Sequence, residues 1–108
     1  MAEPINLFDA VPAKSDDEVV TELLLQSGVR IERIVSTGQV TPADAPYCQP
    51  HDEWVLLLAG AARLWIEGDG ETALRPGDCL MVPAGLSHRV TFTSLEEPTI
   101  WLAIHLPA

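Results

Sequence analysis

The sequence predicts an all-β domain, a sandwich or barrel of short strands. Three observations carry that prediction. Apolar and β-branched residues gather in short runs, glycine and proline turn signals separate those runs, and no stretch sustains a long helical period. About seven to nine strands fit this punctuation.

Residues 1–17 read as an N-terminal lead-in segment, because Pro4, Pro12 and Ser15-Asp16-Asp17 interrupt any period. Residues 18–108 read as one β domain. Glu18–Gln26 has two readings: Asp16 or Asp17 could cap a helix over Val19, Val20, Leu23 and Leu24, but Ser27-Gly28 and a β-rich run follow at once, which favours a strand. Val29–Ser36 is a strand bounded by Gly28 and Gly38, and Thr41–Pro46 is a connecting loop. Trp54–Ala59 is apolar on both alternating faces, so it needs cover on both, from the core and from another sheet or a second subunit. Ala61–Glu67 alternates, with Ala62, Leu64 and Ile66 opposed to Arg63, Trp65 and Glu67. Glu67–Gly70 is a hairpin turn, and Pro76-Gly77 suits the centre of a type II turn. Cys79–Val82, Arg89–Thr93 and Thr99–Leu106 complete the strands.

Composition narrows the functions. The 108 residues make one domain with enough chain for a core. Sixteen acidic residues against six basic ones give a net charge of −10, which argues against nucleic acid and against anionic membrane surfaces. The longest apolar stretch, Trp54–Ala62, is far short of a membrane span. MAEPINLFDA lacks the features of a signal peptide, so a cytoplasmic location is expected. Cys48 and Cys79 are then reduced thiols, read as small, buried or half-buried side chains.

The most informative stretch is Gly77–His88, GDCLMVPAGLSH: a glycine turn, a short strand, a Pro83-Ala84-Gly85 turn and a histidine at the start of the next strand. It fits the second signature of the cupin family, G-x5-P-x-G-x2-H-x3-N, at Gly77, Pro83, Gly85 and His88, with Phe92 in place of the final asparagine. The first signature, G-x5-H-x-H-x3,4-E-x6-G, is met by Glu53 and Gly60, while Tyr47 and Gln49 (or Pro46 and Cys48) stand where its histidines belong. The chain therefore resembles a small single-domain cupin with a degenerate first motif, which implies a jelly-roll β-barrel.

The resemblance implies a divalent metal ion (zinc, manganese, iron or nickel) in the barrel, held by Glu53 and His88 with Gln49 or His51. Such a site serves a metal-dependent dioxygenase, isomerase or lyase acting on a small organic molecule. The lost histidines favour a different reading, a small-molecule-binding or sensory module without a metal. His51 shares a strand face with Glu53 if the chain is extended, but Pro50-His51-Asp52 also reads as a turn that would hold it at the rim. His88 is aimed at the interior, the alternative being a core histidine bonded to a buried group. His105, in phase with Trp101 and Ala103, reads as structural. Tyr47 and Trp65 are candidate pocket residues, as are Trp54 and Trp101. The apolar strands Trp54–Ala59 and Thr99–Leu106 predict a homodimer.

Overall fold

Eight strands follow one another in the computed structural model, which describes residues 2–107. They are β1 (Val19–Gln26), β2 (Val29–Ser36), β3 (Glu53–Ala59), β4 (Ala62–Ile66), β5 (Gly70–Leu74), β6 (Cys79–Val82), β7 (His88–Thr93) and β8 (Thr99–His105). They form two antiparallel sheets, one of five strands in the order β1-β2-β8-β3-β6 and one of three in the order β5-β4-β7. This is the expected jelly-roll barrel. Glu18–Gln26 resolves as strand because Val19 and Val20 pair with Val35 and Ile34 of β2, and pairing partners outweigh a weak local helical period.

Alternation decides what each strand buries. In β3, Glu53, Val55 and Leu57 are buried while Trp54, Leu56 and Leu58 are half-buried on the opposite face. Leu57 and Ala103 are wholly excluded from solvent, and with Leu64, Ile66, Leu74, Val82 and Trp101 they fill the space between the sheets.

Two glycines are required where they stand. Gly77 has a φ of 95° at the centre of the Arg75–Asp78 turn, which is closed by a hydrogen bond from Asp78 N to the Arg75 carbonyl at 3.0 Å. Gly60 turns β3 into β4 with a φ of 86°, and a Cβ there would stand 2.6 Å from Thr99 Cα.

The two sequence segments singled out by their motifs meet in space. Tyr47 and His88 exchange backbone hydrogen bonds of 2.8 Å each way, and Gly85 N donates to the Gln49 carbonyl at 2.8 Å. Asp52 accepts from Ala84 N at 2.8 Å, and β3 pairs with β6 from Glu53↔Val82 to Leu56↔Cys79. The N-terminal segment is tied to the sheet by Arg33, whose guanidinium donates to the carbonyls of Leu7, Asp9 and Ala10.

Both cysteines are free thiols, and both are exposed, which corrects the expectation of buried ones. Cys48 lies in the loop before β3, and Cys79 faces outward on the edge strand β6 beside Leu56.

Candidate functional site

The inward positions of three adjacent strands build one end of the barrel. Glu53 of β3 stands opposite His105 of β8, which stands opposite Arg30 of β2. One inward step further along come Val55, Ala103 and Glu32, then Leu57, Trp101 and Ile34. His88 enters from the other sheet, at the start of β7, where Ile66 is its strand partner. A cavity of about 260 Å³ lies between them, with Tyr47, Gln49 and Glu18 completing its polar wall. Its size is at the lower end of ordinary small-molecule pockets.

Hydrogen bonds fix most of the ring orientations. His105 Nε2 donates to Glu32 Oε1 at 2.9 Å, which leaves His105 Nδ1 to accept from His51 Nε2 at 3.0 Å. His88 Nδ1 donates to the Leu86 carbonyl at 3.3 Å, so its Nε2 lone pair faces the cavity. That nitrogen is 3.8 Å from Glu53 Oε1, and His105 Nε2 is 3.9 Å from Glu53 Oε2, both too far for direct hydrogen bonds. Glu53 thus faces two imidazoles across gaps, with no side-chain hydrogen bond among the described residues.

Electrostatics follow from burial. Burial first, then repulsion from Glu32, pushes the Glu53 carboxyl up to about 7, while Arg30 pulls it back. Burial lowers His88 and His105, keeping the rings neutral, although the bonds to the Leu86 carbonyl and to Glu32 act against that shift. Burial also raises the Tyr47 phenol, with Glu18 and Glu53 adding to it, so it stays protonated.

The structure sorts the residues chosen from sequence. Glu53, His88, Gln49 and Tyr47 line the cavity together. His51 is half-buried and outside the cavity lining, its Nε2 engaged by His105. Trp65 does not belong to the pocket: β4 turns Leu64 inward and Trp65 outward, where the Arg89 guanidinium lies 5.3 Å from its ring centroid. His105, assigned to structure by its spacing, is a wall of the cavity, and Glu18, Arg30 and Glu32 had no sequence signal strong enough to select them.

The metal expected from the motif resemblance meets a poor donor set. Among the described residues, no group of three or more His, Cys, Asp or Glu side chains is disposed to hold an ion. Both ring nitrogens of His105 are engaged, Tyr47 is a protonated phenol, and Gln49 offers only a neutral amide oxygen. One free imidazole and one carboxylate fall short of the three protein ligands usual at a catalytic zinc. The residues present do not fit the ion.

A jelly-roll barrel with a polar cavity at one end defines a class of small-molecule-scale proteins. Comparison with known proteins makes the family definite. The model of the cupin domain matches residues 34–105, two thirds of the chain, and the protein belongs to the cupin family. A Ralstonia eutropha JMP134 protein named "putative mannose-6-phosphate isomerase" is 45% identical over 99% of this chain and 100% of its own, with a TM-score of 0.95. A cupin superfamily protein of Desulfitobacterium hafniense DCB-2 shares the fold at 23% identity, covering 100% of this chain and 94% of its own, with a TM-score of 0.81. The DMSP lyase DddQ of Ruegeria pomeroyi DSS-3 shares it at 21% identity over 84% of this chain and 47% of its own, with a TM-score of 0.71. No curated protein matches.

Proposed function

We propose that this cupin binds a small polar organic molecule in the open end of its barrel, with Glu53, His88 and Gln49 making the polar contacts and no resident metal. The observation that supports it most is the Gln49 side-chain oxygen. It is buried against the cavity without a donor, beside a carboxyl and an imidazole that face each other across 3.8 Å. Buried acceptors are normally satisfied, so a ligand that brings donors completes this wall. A thermal-shift screen of small organic molecules tests it. Ligands that raise the melting temperature of the parent but not of Gln49→Ala are expected, and a screen without any shift overturns the reading.

A second reading, acid–base catalysis by Glu53, is favoured by one further observation. A buried carboxyl brought to about 7 exchanges protons readily near neutral pH, and His88 Nε2 across the gap can take part in the same transfer. Isomerisation of a hydroxy-carbonyl compound needs such a group, and the name of the Ralstonia relative points the same way. The sugar-phosphate half of that name has less support here, since Arg30 is the cavity's single guanidinium and is already 3.3 Å from Glu32. Interconversion of mannose 6-phosphate and fructose 6-phosphate by the parent, lost in Glu53→Gln, would establish it. No turnover of either sugar phosphate would leave binding as the function.

The partner assigned to the outward face of the five-stranded sheet is a second copy of the chain. Leu24, Ile31, Ile104, Trp54 and Met81 stand in register across all five strands, an apolar row of the kind that subunit interfaces cover. No helix of the described residues is long and apolar enough to cross a membrane.

A further inference from the structure

We propose that the molecule taken by this cavity is a small organic cation, an amine or ammonium compound held by Glu18 and Glu53 between the aromatic faces of Tyr47 and Trp101. The inference rests on the binding reading above and gives that site its ligand class.

Charge bookkeeping inside the cavity carries it. Three carboxylates, Glu18, Glu32 and Glu53, line the wall against one guanidinium, Arg30. Arg30 Nε lies 3.3 Å from one Glu32 oxygen, an ion pair outside hydrogen-bond geometry, and His105 donates to the other, so the charges of Glu32 and Arg30 answer each other. Glu18 accepts only from the Ser36 hydroxyl, at 2.6 Å, a donor without charge. Glu53 has nothing closer than the two imidazoles at 3.8 and 3.9 Å. Among the described residues, Glu18 and Glu53 therefore face the same small space with no cation in contact, Arg30 acting on Glu53 only from a distance. A cationic ligand relieves that arrangement, and an anion such as phosphate adds to it.

Hydrogen-bonding capacity points the same way. The buried Gln49 oxygen is an acceptor without a donor, the Glu53 carboxyl accepts no hydrogen bond among the described residues, and an ammonium group is donor-only. The aromatic walls suit the same guest. Trp101 donates its indole N–H to Ser36 Oγ at 3.3 Å, which fixes the ring as a wall, and Tyr47 stands half-exposed at the rim, its ring 5.7 Å from that of His88. Aromatic faces attract desolvated cations, quaternary ammonium groups above all. A space of about 260 Å³ restricts the guest to a small one.

Calorimetric titration of the full chain with three probes decides the matter: choline, its uncharged isostere 3,3-dimethylbutan-1-ol, and inorganic phosphate. Choline is expected to bind at least about tenfold more tightly than the isostere. Glu18→Gln and Glu53→Gln, each checked for native circular dichroism, are expected to remove that preference. Phosphate is expected not to bind. Equal affinity for choline and isostere, or tighter binding of phosphate, overturns the cationic class while keeping the pocket. Silence from all three probes, together with an empty thermal-shift screen, removes the pocket itself and the cation with it.

Discussion

The two ends of the barrel interior are built from the same strands and obey opposite rules. At the closed end, the inward residues Leu57, Ala62 and Leu74 are buried in one apolar cluster, while Trp101, Ile34 and Leu64 join that cluster to the cavity. At the open end, the same strands turn in Glu53, His105, Arg30 and Glu32, where Glu53 and Glu32 repel and the buried Arg30 Nε has no hydrogen-bond partner. A fold gains nothing from placing a nearly neutral glutamate and two uncharged histidines inside itself, because burying polar groups costs free energy that hydrogen bonds only partly return. The closed end therefore carries the stability. The open end holds chemistry that the closed end's packing is able to support.

Substitution at the closed end has the largest expected effect. Leu57 is wholly buried, so Leu57→Ala removes its packing and leaves a cavity, a loss of about 2–5 kcal/mol. Urea denaturation measures it. A loss well under about 1 kcal/mol would mean that the two ends do not divide the work in this way.

Glu53→Gln at the open end is expected to stabilise, and only above a certain pH. The folded carboxyl binds its proton up to about 7, whereas the unfolded one releases it near 4.5. Between those values the folded state holds more protons, so this group's contribution falls as pH rises through about 7. At pH 8 the variant is expected to exceed the parent by up to about 3 kcal/mol, and to match it near pH 4. His88 and His105 act with the opposite sign. Burial holds their folded values below 6.5, so their contribution is full above 6.5 and is lost as pH falls below it. Stability curves of parent and variant from pH 4 to 8 (a range set by these titrations) separate the two trends. A variant no more stable than the parent at pH 8 would show that Glu53 is not a burden to the fold.

The same contrast explains what could be read in the sequence. The closed end and its turns follow local rules: Pro76-Gly77 specifies its turn, Gly60 ends β3, and the alternation of β4 identifies Ala62, Leu64 and Ile66 as inward. The same alternation turns Trp65 outward, against its expected place in the pocket, because strand phase outweighs the general tendency of aromatics to line binding sites. Glu53 and His88 were found because a spaced motif marks them. Glu32 and Arg30 were not, because β2 carries charge on both faces, with Arg30 and Glu32 inward and Arg33 outward under the N-terminal carbonyls. No periodicity separates such a strand's faces. The His51–His105 bond joins residues 54 positions apart, a pairing that only the register of β3 against β8 brings about.

Charge on the outward face is expected to act on association rather than on folding. Ile104→Lys places an ammonium group in the middle of the five-strand apolar row, between Ile31 and Trp54. Sedimentation at tens of micromolar, roughly the range that separates weak from specific self-association, is expected to show a dimer for the parent and a monomer for the variant. The ligand affinity of the variant should be unchanged, because the substituted side chain faces away from the cavity. A parent that sediments as a monomer overturns the second-copy assignment and leaves the two interior ends unaffected.

The smallest expected effect belongs to metal ions, and it bears directly on the open end. A resident divalent ion would bring Glu53, His88 and a further ligand together and would hold the Glu53 carboxyl ionised. The arrangement found offers little to build on: Glu53 lies 3.8 Å from the His88 nitrogen that faces the cavity, with Glu32 and His51 absorbing His105. Added zinc, manganese, iron or nickel is therefore expected to shift the melting temperature no more than EDTA does. A rise of several degrees that EDTA reverses and Glu53→Gln abolishes would assign the open end to a metal. The gaps around Glu53 would then be the coordination sphere in its unloaded form, and the contrast between the two ends would become one between a core and a metal centre.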